Sequence, residues 1–243
     1  MAAASVSFSS TARRCVLLFA RGDRAEARCK GLGPKGAAVF ATLRARVARS
    51  VRALPGVDLV VVGAPGGLQP ELVLPQRGLA FGERITAALN DARAAGYTHI
   101  LMVGIDAPGL GPAHLQRAFA LLDEHASVLG PAADGGAYLI GVGPGGQTGF
   151  DRGVRWLGSH VFADLLRTCA NAARLPMLRD VDSLADLRRL ACGDSILGDL
   201  LAALVGTSKL RAPRSRALRS APAWPAVPIR GPPGLAAPSA YMA

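Results

Sequence analysis

The chain has little cysteine, no long apolar run and, past residue 206, no acid. Cys15, Cys29, Cys169 and Cys192 are the only cysteines in 243 residues. None stands in a Cys-x-x-Cys pair, which argues against a zinc site or a disulfide framework and leaves isolated reduced thiols. Half the residues are apolar, yet no run approaches the roughly 20 residues of a membrane span. The opening "MAAASVSFSSTARR" lacks the apolar segment of a secretory signal, so the expectation is a cytoplasmic protein with no membrane span. The missing acids also locate the net charge of +11. Lys209, Arg211, Arg214, Arg216, Arg219 and Arg230, with Arg13 and Arg14, hold eight of the 28 basic residues, which leaves 20 against 17 acids between residues 15 and 206. The basic excess belongs to the ends. A solvated tail accounts for it better than a nucleic-acid surface does, and no specific nucleic-acid partner is expected.

What is there alternates. "CVLLFA" (15–20), "VDLVVVG" (57–63) and "HILMVG" (99–104) are short continuous apolar runs, as in strands covered on both faces. Residues 36–53 repeat Val39, Leu43, Val47 and Val51 at four-residue spacing with arginines on the other face, an amphipathic helix that Pro55-Gly56 ends. Further helices are predicted over 83–96, 112–125, 159–175, 184–194 and 194–206. Two more strands are expected in "ASVLGP" (126–131) and "AYLIGV" (137–142), and residues 64–80 read as a Gly/Pro-rich loop. Strands alternating with helices mean an α/β domain with a mostly parallel sheet, and the length suits a single domain.

In open α/β sheets the ligand crevice lies beyond the carboxyl ends of the strands. Asp106, in "ILMVGIDAPGLGPAHL" (100–115), falls just past an apolar run. It reads either as a ligand to Mg²⁺, which one or two carboxylates and substrate phosphates suffice to hold, or as a turn residue capping the next helix. Asp134, in "GPAADGGAYLIGV" (130–142), is followed by Gly135 and Gly136, which let a ligand approach the backbone closely; the same Asp-Gly is a hairpin signal. In "VLPQRGLAFGERITAALNDA" (73–92), Gly78 and Gly82 flank a turn and Arg84 opens a helix whose free N–H groups suit an anion. Gln76 is placed to read a base or ribose edge. The alternative is an ordinary loop-to-helix junction with a solvated arginine.

The order "FAR" (19–21), "QRGLAFGERI" (76–85), "VGIDAPGL" (103–110), "GPAADGGAYLIGV" (130–142), "VRW" (154–156) and "DVDSLADL" (180–187) resembles the CofC-like glycosyltransferase family. The resemblance spans about residues 15–192. It implies the GT-A fold, a Rossmann-like three-layer α/β/α sandwich shared by nucleotide-sugar transferases and nucleotidyltransferases. With the composition of the ends, it gives an expected transferase domain over 14–206, between a flexible N-terminus (1–13) and a disordered basic tail (207–243). By the same resemblance Asp106 is the acid that holds a divalent ion, Mg²⁺ or Mn²⁺, between nucleotide phosphates. Asp134, Gly135 and Gly136 face the transferred group; Gln76, Gly78, Gly82 and Arg84 lie on the nucleotide side. Trp156 walls the acceptor pocket or belongs to the core. Asp182 approaches the metal, or it or Ser183 caps the following helix. One departure stands out. The family's Lys-Thr-Arg-Leu run after the first strand is replaced by the shorter "ARGDRAEARCKGLG" (20–33), where Arg21 and Lys30 are available to phosphate.

Three readings follow. The first is a metal-dependent glycosyltransferase that moves a sugar from a nucleotide sugar to a small-molecule acceptor, with Asp134 as general base. The second is a nucleotidyltransferase acting on a small phosphorylated substrate, against which the absence of a Gly-rich phosphate cradle counts. The third is a nucleotide-binding relative that has lost the reaction.

Overall fold

The computed structural model describes residues 12–19 and 21–205. Residues 1–11 and 207–243, where a flexible terminus and a disordered tail were expected, lie outside the described residues. The elements run β1 (Arg14–Phe19), α1 (Asp23–Cys29), α2 (Ala37–Arg52), β2 (Val57–Val62), β3 (Leu72–Leu74), α3 (Phe81–Ala94), β4 (His99–Val103), α4 (Pro112–Leu122), β5 (Ser127–Pro131), β6 (Ala137–Val142), α5 (Val161–Thr168), β7 (Ala173–Arg174), α6 (Leu184–Ala191) and α7 (Ser195–Val205). A single turn of 3-10 helix, Pro34–Gly36, leads into α2.

The continuous apolar strands are buried on both faces because successive side chains point to opposite sides of a sheet. Val16, Leu18, Leu59, Val61, Leu101 and Val103 join one core, under α2, α4, α6 and α7. Cys15, Leu17, Val60, Val62, Ile100 and Met102 join the other, with Ile85 and Leu89 of α3 and Leu165 of α5. Each fully buried Val or Leu contributes about 1.5–3 kcal/mol, and the outcome is the expected three-layer α/β/α sandwich. The seven strands are ordered β3-β2-β1-β4-β6-β5-β7. β1 pairs parallel with β2 and β4, β2 with β3, and β5 with β7. Only β6 runs against its neighbours, β4 and β5. The sheet is thus mostly parallel, and its carboxyl edge collects the loops after β1, β4 and β5.

Three local expectations are corrected. The stretch 64–80 is not all loop: Leu72–Leu74 pairs with Val60–Val62 as an edge strand. The helix predicted over 159–175 stops at Thr168, where Cys169 leaves the helical region at φ −102°, ψ 78°, and the left-handed backbone of Asn171, φ 64°, keeps it from resuming. The segment after β1, read as a basic loop, forms α1. Asp23 and Glu26 stand in its first turn and Arg28 in its last, the charge order that the helix dipole favours. Among the described residues no helix is long and apolar enough to cross a membrane.

Candidate functional site

Beyond β4 the chain passes Gly104 and Ile105 and reaches Asp106, whose carbonyl accepts the Val181 amide at 2.8 Å. That bond is the last of a series. The Leu175 amide donates to the Leu129 carbonyl at 2.9 Å, the Leu178 amide to Pro131 at 3.1 Å, and the Ala133 amide to the Leu178 carbonyl at 2.9 Å. Residues 175–181 therefore run along the sheet's carboxyl edge, tied first to β5 and its turn, then to the end of β4. This backbone path brings together carboxylates that are 74 positions apart in the chain, Asp106 and Asp180, with Asp182 and Asp134 beside them.

Asp134, Asp180 and Asp182 can each place one carboxylate oxygen within 4.8 Å of the others, a spacing at which hard cations are held. Asp134 sits in the β5–β6 hairpin turn, where its Oδ1 accepts the Gly136 amide at 2.8 Å. Its hairpin role and its place in the acidic group are compatible. Gly135 has φ +90°, and any Cβ there would run into the Ser159 carbonyl. Asp182 does not cap α6. Ser183 does, accepting the Asp186 amide at 3.2 Å, which leaves the Asp182 carboxylate for the cluster. Asp180, like Asp182, is half-buried. Its Oδ1 is buried and meets no hydrogen-bond donor among the described residues. Burial first, then the charges of Asp106, Asp134 and Asp182, push its carboxyl up to about 8, with Lys30 acting in the opposite sense.

Asp106 faces this group across Lys30. The Lys30 ammonium donates to Asp106 Oδ2 at 3.2 Å and also to Asp182 Oδ1. Burial disfavours its charge, but Asp106 and Asp182 outweigh that and hold the ammonium above the usual lysine range. Lys30 follows the last turn of α1, and α1 is held by a buried arginine. Arg44 pairs with Asp23 at 2.6 Å and donates to the Arg21 carbonyl at 3.0 Å.

Next to the acids a cleft of about 440 Å³ opens, lined by Arg21, Lys30, Gln76, Arg84, Asp106 and Trp156 from the sequence-derived set. Gly78, Gly82, Asp134, Gly135 and Gly136 are not on its walls. Gly78 turns the loop at φ +118°, and Gly82 packs under Trp156. Arg84 has its guanidinium on the carbonyls of Gly78 and Leu79, both at 3.0 Å. At the start of α3, the Leu79 and Ala80 amides donate to the Glu83 carboxylate at 2.8 and 3.1 Å. The helix start expected to receive an anion thus already has one from its own chain. Arg21 donates to Cys29 Sγ at 2.9 Å.

The wall away from the acids is aromatic. Phe19 and Phe81 meet edge to face at 5.7 Å and Phe81 and Trp156 at 5.2 Å, a favoured geometry. The indole N–H donates to the Phe150 carbonyl at 2.9 Å. The preceding residue, Arg155, is fixed by Asp164, a fully buried carboxylate that accepts the Arg155 amide and Nε, each at 2.9 Å. Phe19, Phe81, Tyr138 and Asp180 were not among the sequence candidates. For Asp180 a signal existed: in extended chain, residues two apart share a face, so Asp180-x-Asp182 already pairs two acids. The aromatics carried none, since a core phenylalanine reads the same way.

Residues 44–156 match the family described as "Uncharacterized protein conserved in bacteria (DUF2064)". No curated protein compared with the chain matches it. Among solved structures, the fold resembles that of a "putative nucleotide-diphospho-sugar transferase" from Desulfovibrio desulfuricans G20. The TM-score is 0.69 and the identity 24%, over 80% of this chain and 97% of the other. It also resembles the inositol-1-phosphate CTP transferase of T. maritima, with a TM-score of 0.50 and 14% identity over 82% of this chain and 98% of that one. These likenesses show the fold alone, a layered α/β sandwich around a mostly parallel sheet.

Proposed function

We propose that the chain is a metal-dependent transferase of the CofC-like, GT-A type, moving a sugar from a nucleotide sugar to a small acceptor. The observation that carries this reading is the unpartnered, buried Oδ1 of Asp180 beside Asp134 and Asp182, at the end of a cleft whose far wall is Phe19, Phe81 and Trp156. A buried carboxylate oxygen without a donor is costly, and a divalent ion would satisfy it. Asp180 and Asp182, with Asp106 facing them across Lys30, would hold Mg²⁺ or Mn²⁺, whose chemistry is to neutralise charge on a leaving diphosphate.

The chain's own residues supply the rest. The aromatic wall offers stacking area to a base, and Gln76 offers an amide to its edge. Lys30 and Arg21 bring positive charge to the phosphate side. Asp134, exposed at its turn, takes the proton of an acceptor hydroxyl as general base, a role worth about 10²–10⁴-fold.

Thermal unfolding with a panel of nucleotides and nucleotide sugars, with and without Mn²⁺, tests this. A ligand at 100 times its Kd stabilises by about 2.7 kcal/mol. Mn²⁺-dependent stabilisation by a nucleoside diphosphate and by its sugar is the expected result. Preference for a triphosphate would move the assignment to nucleotidyl transfer, and no response to any would remove catalysis on nucleotides altogether.

A further inference from the structure

The acidic cluster already holds one cation, and it is covalently attached. Lys30 is the only cationic side chain among the described residues that pairs with Asp106 or Asp182. At 19% side-chain exposure it is more enclosed than either partner, at 32% and 40%. We infer that Lys30 is a resident counter-ion that a divalent cation displaces on entry, so that this residue sets how tightly the metal is held. The inference rests on the metal reading above and adds a competitor to it.

The argument is one of space and charge. A divalent ion needs carboxylate oxygens within about 2.0–2.6 Å. The Asp106 and Asp182 oxygens that face each other are both engaged by one ammonium. An ion seated there with Lys30 in place would bring charges of +2 and +1 into near contact inside a partly buried pocket, where Coulomb repulsion is strong. One must leave. The means of leaving is present, since lysine carries its charge on a flexible four-carbon stem and Lys30 lines the open cleft. The backbone need not move, because Arg44 and Asp23 anchor α1 from below. In the metal-free protein the ammonium performs the complementary task of holding Asp106 and Asp182 together against their mutual repulsion.

The test is calorimetric titration of Mn²⁺ alone into wild type, Lys30→Met, Lys30→Gln and Asp182→Asn, with thermal unfolding of each. Met keeps the length of the stem without charge, and Gln keeps hydrogen bonding should Met fold poorly. The expected result is Mn²⁺ bound at least tenfold more tightly by the Lys30 variants, with a larger Mn²⁺-induced rise in Tm than in wild type. If Lys30 is only structural, its variants lose stability and bind Mn²⁺ no tighter than wild type. That outcome, with Asp182→Asn abolishing binding, overturns the inference and leaves the metal reading standing. If neither wild type nor the Lys30 variants bind Mn²⁺, the metal reading fails and the inference with it.

Discussion

Gly82 and Trp156 are in contact through an absent side chain. A Cβ at Gly82 would lie 2.6 Å from the indole Nε1 and 2.6 Å from the Phe150 carbonyl oxygen that accepts its proton. Only glycine lets the first turn of α3 pass this close to the aromatic wall of the cleft, which is a packing reason for a residue that sequence reasoning placed on the nucleotide side.

Gly82→Ala is therefore expected to displace Trp156. Overpacking of this kind costs about 1–3 kcal/mol, against a helix-propensity gain of about 1 kcal/mol. Urea unfolding should show a net loss of stability. In a Trp224→Phe background, where Trp156 is the sole tryptophan, emission should shift as well. Unchanged stability and emission would refute the packing account.

Asp164→Asn addresses the ion pair made by Arg155, the residue before Trp156. Hydrogen bonds from the Arg155 side chain, then from its amide and from Arg167, hold the Asp164 carboxyl well below the usual carboxylate range. A lowered folded pKa contributes stability above the unfolded value of about 3.9 and loses it as pH falls further. The variant should be less stable than wild type near neutral pH, with the gap closing below about pH 4. A gap that stays constant with pH would contradict the ion-pair origin.

Asp180→Asn separates metal binding from folding. The amide fits the space but is a poor ligand for a hard cation, so Mn²⁺ affinity should fall at least tenfold. Metal-free stability should stay within about 1 kcal/mol of wild type, because a carboxyl crowded by three like charges is replaced by a neutral group. Calorimetry and thermal unfolding read the two effects separately.

Gly135→Ala should damage the hairpin that carries Asp134. Its φ of +90° disfavours any side chain, and the new methyl would meet the Ser159 backbone. Strain of this sort costs about 1–3 kcal/mol, and guanidinium unfolding midpoints should drop accordingly.

Much of the architecture could be read from pattern. β1, β2 and β4 are apolar runs that need cover on both faces, and α2 repeats Val39, Leu43, Val47 and Val51 on its buried side. β3 and β7 escaped notice because three and two residues are too few to show a period. α1 was hidden by its charges, which favour a helix only once their order along the dipole is considered. The strand-end positions of Asp106, after β4, and Asp134, after β5, were legible from pattern. The engagement of Arg84 with the carbonyls of Gly78 and Leu79 was not, because composition says which groups a side chain offers and not where it points. The bond from Val181 to Asp106 joins two backbones, and a backbone leaves no signature in residue type.

That last property has a mutational side. From Leu175 to Val181 the chain is stitched to its neighbours by amides and carbonyls, while Met177 and Arg179 face water. Substitution at those two positions should leave the aspartates that follow in place. A library randomised at 177 and 179 should yield mostly folded proteins with the acidic constellation undisturbed.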